Sequence, residues 1–288
     1  MTAVFKREFR SYFNTMTGYI FVVCVVFFTG IYFMALNLSY GLPYFSGVLT
    51  SMPLIYCIAA PILTMKSFAE ERKSKTDQLL LTSPVSVGGV VMGKFLSMMA
   101  AVAIPILISC LCPLIIALNG NSHLGVDYAS ILAFFFMCGL FVSIGMFISS
   151  LTDNQVISAV VTFGILLILY LWDNLVDYIP SGAAANLAIL LTVIALIALF
   201  LYSRSKNTAL TLIVTVVLAA LAVIPYLIES TLFNGLIQAA LSSFSIMSVI
   251  QNFATYHVFD LGGLFFYISV TALFIFLTMQ SIQKRRWS

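Results

Sequence analysis

Long apolar runs separated by short polar stretches set the pattern of this chain. A helix rises 1.5 Å per residue and needs about 20 apolar residues to cross a hydrocarbon layer about 30 Å thick. Eight runs reach or approach that length: 18–37, 48–65, 95–118, 128–151, 156–172, 183–203, 208–228 and 261–282, the fifth being the shortest. The pattern predicts an all-α fold: one polytopic membrane domain over 1–288 with about eight crossing helices. The first run is long and is followed by no small-x-small cleavage pattern. It reads as an uncleaved span, not a signal peptide.

The polar stretches between the runs sort by charge. Lys6, Arg7 and Arg10 precede the first span, and Lys66, Arg72, Lys73, Lys75 and Lys94 lie between the second and third. Arg204 and Lys206 lie between the sixth and seventh, and Lys284, Arg285 and Arg286 follow the eighth. All 13 cations therefore fall on one side. The other side carries Asp127, Asp173, Asp177, Glu229 and Asp260. Cationic loops stay in the cytoplasm, which places both termini there. The same sorting rejects a ninth crossing at 231–254, because it would carry the last basic cluster outside. That stretch reads as an amphipathic segment on the outer leaflet, with Phe233, Leu236, Ile237, Ala240, Leu241, Phe244 and Met247 on one face.

Two polar segments on the basic side stand out. Phe5, Phe9, Tyr12 and Phe13 share a helical face while Lys6, Arg7, Glu8 and Arg10 fall elsewhere, which predicts an interfacial helix over 1–15. The loop 66–90 is dense in charge. Glu71 and Lys75 have the favoured i,i+4 order, and Pro84 should stop any helix there. A charged helix continuing from the second span, followed by Leu79-Leu80-Leu81, would suit docking of a soluble partner.

Composition narrows the function classes. Hydrophobic residues make up 62% of the chain and charged residues 8%, against about 45–50% and about 25% in soluble domains. So few charges cannot clothe a soluble core, which excludes a soluble enzyme, a nucleic-acid binder and a disordered tail. The net charge of +3 is too small to signal polyanion binding. Cys24, Cys57, Cys110, Cys112 and Cys138 lie in apolar runs without metal-ligand spacing and read as small hydrophobes. His123 and His257 fall in outer loops and read as solvated; Asp173 and Asp177 read as a solvated helix end. Gly88-Gly-Val-Val-Met-Gly93-Lys94 matches the start of a phosphate-binding loop, but Phe95 stands where a hydroxyl residue should meet magnesium. No charged residue falls well inside a predicted span, which argues against transport driven by a proton or sodium ion. Pro53, Pro61, Pro105 and Pro113 flank the charged loop and can bend the second and third spans.

Three motifs in order resemble a known family. Phe68-Ala-Glu-Glu-Arg72, Leu79-Leu-Leu-Thr-Ser-Pro84-Val-Ser86 and Gly93-Lys94-Phe95 resemble the signature stretch of ABC-2 type transporter permeases. The nearest likeness is to gliding-motility-type and nitrous-oxide-reductase-maturation-type permeases, with a type V exporter-like fold. Ile148-Ser-Ser-Leu-Thr-Asp-Asn-Gln155 and the series Tyr267, Thr271, Phe274, Lys284-Arg-Arg-Trp287 support it. The resemblance implies a non-catalytic permease subunit of an exporter in the bacterial cytoplasmic membrane. It implies pairing with a second permease copy or paralogue and with two cytoplasmic ABC ATPase subunits. ATP and magnesium would bind to those partners, so this chain needs no cofactor of its own, and nucleic acid is not a partner.

Carried over to this chain, the coupling interface falls on Phe68, Glu70, Glu71, Arg72, Lys73, Thr76, Asp77, Leu80, Thr82 and Ser83. Thr152, Asp153 and Asn154 form a smaller second contact. Branch members have six spans, so the pair within 183–228 is an addition, possible ground for an accessory membrane protein. The alternatives are an ATP-independent transporter or channel, or a membrane anchor that recruits a cytoplasmic partner.

Overall fold

The computed structural model describes residues 1–75, 86–120 and 123–286, and among them every regular element is helical. The chain divides into two compact units, Met1–Tyr170 with Ile246–Ser288, and Leu171–Ser245, where the sequence reading expects one domain.

The first unit begins with α1 (Thr2–Asn14) and α2 (Met16–Phe33), the latter running on through a π-helical turn at Met34–Ser39. The second predicted span is not one helix. It is α3 (Ser46–Ser51) and α4 (Pro53–Thr64), broken at Met52. Pro53 has no N–H to continue α3 and restricts the residue before it, yet it suits the first turn of α4. A single turn, α5 (Ala69–Lys73), follows. The charged helix expected to continue from the second span is therefore short and separate from it. Lys75, at φ +56°, lies beyond its end, so the expected Glu71–Lys75 helical pair does not form.

The third span starts earlier than its apolar pattern suggests. α6 (Val87–Ser109) begins where Ser86 Oγ accepts a bond from Gly89 N at 3.2 Å, so the loop expected over 66–90 ends before Val87. α7 (Leu111–Asn119) follows after a break at Cys110. Pro113 cannot donate to Ser109 O four residues back, and separately Ser109 Oγ donates to Pro105 O at 2.8 Å.

α8 (Leu124–Leu151) is the buried axis of this unit, and α9 (Gln155–Tyr170) packs beside it. α4, α6 and the last helices of the chain, α14 (Ile246–Ala254) and α15 (Leu261–Arg286), also surround α8. Small residues let the backbones close: a Cβ on Gly145 would collide with Thr64 Oγ1 and stand 2.9 Å from Thr64 Cβ.

The second unit holds α10 (Trp172–Asp177), the hairpin α11 (Ala183–Ser205) and α12 (Thr208–Ile228), a 3-10 turn at Ser230–Phe233, and α13 (Leu236–Ser242). The hairpin turns at Lys206, which is left-handed at φ +51°. Its helices expose Leu196, Leu199, Phe200, Leu212 and Leu221, as a lipid-facing pair would. Asn186 ties the hairpin to Ser181 O and Phe233 O, at 3.1 and 2.8 Å.

The single amphipathic segment expected over 231–254 does not exist. The hydroxyls of Ser242 and Ser243 bond back to Ala239 O at 3.0 and 2.9 Å, and the helix stops. Of the expected apolar face, Leu236 and Phe244 are exposed, whereas Phe233 and Met247 are buried. α14 is a core element, its Ile250 and Phe253 each 2% exposed.

Six helices of the described residues are long and apolar enough to cross a membrane: Met16–Ser39, Val87–Asn119, Leu124–Leu151, Ala183–Ser203, Thr211–Ile228 and Leu261–Lys284. Of the eight expected spans, the fifth is the shorter α9, and the second is interrupted at Met52.

Candidate functional site

The end of the first unit that carries its cations holds the sequence-predicted site. α1 lies against α6 because Gly93 has no side chain. A Cβ there would stand 3.1 Å from Val4 Cβ and 3.2 Å from Met1 O. The outer face of α1 is an aromatic ladder. Phe5 and Phe9 rings lie 6.0 Å apart, Phe9 and Phe13 5.0 Å, and Phe13 meets Tyr19 of α2 at 5.5 Å. Tyr12, grouped with them by spacing, turns inward and is 6% exposed. Burial, then the carboxylates Glu8, Glu71 and Glu70, push its phenol well above the ordinary range.

α5 is held by its own first turn. Ser149 Oγ of α8 accepts bonds from Phe68 N at 3.1 Å and Ala69 N at 3.2 Å, satisfying donors that a helix start leaves open. The same oxygen donates to Met65 O at 3.2 Å, so one hydroxyl fixes both sides of the turn between α4 and α5.

Charge completes the clamp. Lys94 on α6 is 2% exposed. Its ammonium lies 2.9 Å from Glu71 Oε1 and 3.4 Å from Glu8 Oε1, donates to Ser67 O at 2.7 Å, and sits 5.0 Å above the Phe68 ring. Arg7 reaches the same two carboxylates, at 2.6 Å (Glu8) and 3.1 Å (Glu71). Burial lowers the Arg7 pKa, but its bonds to Glu8 and the charges of Glu8 and Glu71 outweigh that and raise it. α1, α5 and α6 thus meet at one charge-balanced cluster, in which Lys94 is buried and Arg7 lies at the exposed edge.

Lys94 was expected in the loop. It lies seven residues into α6, about 10 Å along the helix. The helix of the third span therefore begins before Lys94 and not after it. The charge is tolerated there because two carboxylates and a carbonyl replace its hydration shell.

The two stretches expected to form the interface meet. Arg72 Nη1 lies 3.5 Å from Thr152 O and 3.5 Å from Asp153 Oδ1, in the turn between α8 and α9. Asn154 Oδ1 accepts from Val156 N at 2.9 Å and starts α9. α5 then divides by direction. Glu71 and Arg72 point into the protein, whereas Glu70 and Lys73 are exposed. Phe68 is buried beneath Lys94. Thr76, Asp77, Leu80, Thr82 and Ser83 lie outside the described residues.

Spacing alone misses Lys94, Glu8 and Ser149. The usable signal was Gly93 beside Lys94. A glycine that admits a neighbouring helix next to a cation implies that the neighbour brings a carboxylate.

The opposite end of the unit is also more ordered than expected. His123 and His257, read as solvated, are both exposed, and each also stacks on Tyr44, with ring centroids 4.8 and 4.5 Å away. Asp127, read as a loop charge, is buried and accepts from Ser46 N at 3.0 Å. The Asp127 carboxylate ties the start of α3 to α8.

No curated protein matches the chain. A family model described as ABC-2 family transporter protein matches residues 39–182, half of the sequence, and includes α5, Lys94 and the 152–154 turn. A multi-pass membrane chain with this matched core belongs to the ABC-2 family transporter proteins, whose membrane components in general work with an ABC ATPase.

Proposed function

We propose that the chain is the permease subunit of an ATP-driven exporter in a bacterial cytoplasmic membrane, with both termini in the cytoplasm. Two permeases, identical or paralogous, pair with two ATPase subunits, and the branch is the gliding-motility or nitrous-oxide-reductase-maturation type. The observation that carries the reading is the clamp on α5. Its exposed residues, Glu70 and Lys73, face outward, while Glu71 and Arg72 lock it to α1, α6 and the α8–α9 turn. A push on α5 therefore displaces three helices or breaks the pair of Glu71 with the buried Lys94.

ATP binding closes the ATPases and moves α5, and the permease pair changes which side is open. Shifting such an equilibrium from 1:99 to 99:1 takes about 5.5 kcal/mol of differential binding. The path runs between the two permeases, lined mainly by the first, second and fifth spans.

The test separates grip from transmission. Glu70→Ala with Lys73→Ala should weaken co-purification of the ATPase. Glu71→Ala should leave the ATPase bound but uncouple hydrolysis from transport. If both variants retain binding and transport, the coupling reading is wrong.

A further inference from the structure

We propose that α1 binds anionic phospholipid of the adjacent leaflet, its aromatic ladder among the acyl chains and Lys6 and Arg10 on the headgroup phosphates. Two glycines fix its depth. At one end a Cβ on Gly93, six residues into α6, would crowd Val4 and Met1 O. At the other a Cβ on Gly18, two residues into α2, would stand 2.7 Å from Tyr12 O. Both α2 and α6 are long and apolar enough to cross a membrane. α1 is therefore seated against the first two turns of two spans. Thr15, extended at φ −100° and ψ 158°, separates it from α2, so the two are not one continuous helix. An amphipathic helix at that level lies in the headgroup region.

The rest of α1 is divided by direction. Phe13, at the end of the ladder, meets Tyr19 of α2, whose neighbours Met16, Ile20 and Val23 are exposed as on a lipid-facing helix. The ladder thus runs on into an apolar surface of the first span. With 3.6 residues per turn, Lys6 and Arg10 leave the helix about 60° and 100° round from Phe9, and Tyr12 and Glu8 leave it as far round the other way. The second pair goes to the protein: Tyr12 is buried, and Glu8 reaches Lys94. The first pair stands at the rim of the ladder, where a long basic side chain can lay its stem on apolar surface and reach a phosphate. Lys6 and Arg10 are exposed, and neither forms a hydrogen bond or ion pair with a described residue. Arg7 is engaged by Glu8 and Glu71 and is left out of the proposal. No carboxylate lines the hollow of about 500 Å³ around Lys6, Arg10, Ser11 and Asn14. Positive charge beside a partly exposed apolar ladder favours an anionic lipid over a neutral one. The proposal rests on the seat of α1 against two spans and not on the coupling reading, so either can fail alone.

The test is fluorescence of the full-length protein with Phe9→Trp in phosphatidylcholine vesicles. A minor fraction of either phosphatidylglycerol or phosphatidylcholine with brominated chains is added. Quenching beyond that of the parent protein, which carries Trp172 and Trp287, reports lipid at the ladder. Brominated phosphatidylglycerol should quench more than brominated phosphatidylcholine. Its preference should fall about fivefold in Lys6→Gln and again when Arg10→Gln is added, as expected for single cations at an anionic surface. Lys6→Arg with Arg10→Lys should keep it. Quenching by neither lipid would mean that the ladder faces protein or water. Equal quenching by both would deny a headgroup contact, and a preference that survives both Gln substitutions would deny it to Lys6 and Arg10. Each of these results would overturn the proposal.

Discussion

Lys94 shows what a single side chain contributes here. Breaking a buried pair costs more than the pair gained, because a charge is left without its partner. Lys94→Met strands Glu8 and Glu71 and should destabilise the protein by on the order of 3 kcal/mol, read by thermal unfolding in detergent. Adding Glu71→Gln should recover part of that loss, with a coupling energy of about 1–3 kcal/mol in a double-mutant cycle. Additive losses would mean that the two groups do not interact. Residue types alone located the charged stretch 66–77 but not the inward turn of half of it. Hydropathy counts Lys94 as a loop residue, because a lysine lowers the local average wherever it sits. The packing of α1 on Gly93 brings Glu8, and α5 brings Glu71, the two carboxylates that make its burial tolerable.

At the scale of elements, apolar periodicity found most of the helices, and prolines and serines decided where they stopped. Pro53 and Pro113 break the second and third spans, and Ser242 and Ser243 end α13. The 231–254 segment misled because a core helix and a surface helix share one apolar periodicity. α14 is amphipathic and lays its apolar face on α8. Two consequences follow from close contacts. Gly145→Ala would force α4 and α8 apart and should cost about 1–3 kcal/mol, measured by unfolding. Asp260 accepts from Gly263 N and from Asn252 Nδ2, both at 2.9 Å, and so caps α15 and joins it to α14. These bonds, the one from Gly263 first, hold its carboxyl below the ordinary range. A depressed folded pKa gives stability that is present above the unfolded value and lost as pH falls through the folded one. Asp260→Asn should flatten the acid limb of a stability–pH profile. An unchanged limb would remove Asp260 from that role.

For the whole molecule, charge asymmetry is the organising fact. Every lysine and arginine was assigned to one side from the sequence, and within the first unit the ion-pair cluster and the His–Tyr–His stack lie at opposite ends. The second unit, Leu171–Ser245, contains the helix pair α11 and α12, which turns at Lys206. Alkaline phosphatase fused after residue 123 should be active, and fusions after 75 and 205 silent. Activity at 205 would refute the hairpin's orientation. The most direct test of the account asks what α5 touches. Lys73→Cys, carrying a short bifunctional crosslinker in membranes that also contain the partner ATPase, should yield an adduct with that ATPase, whereas His123→Cys should yield none. An adduct from position 123, or none from position 73 in a complex that still transports, would contradict the assignment of α5 as the grip.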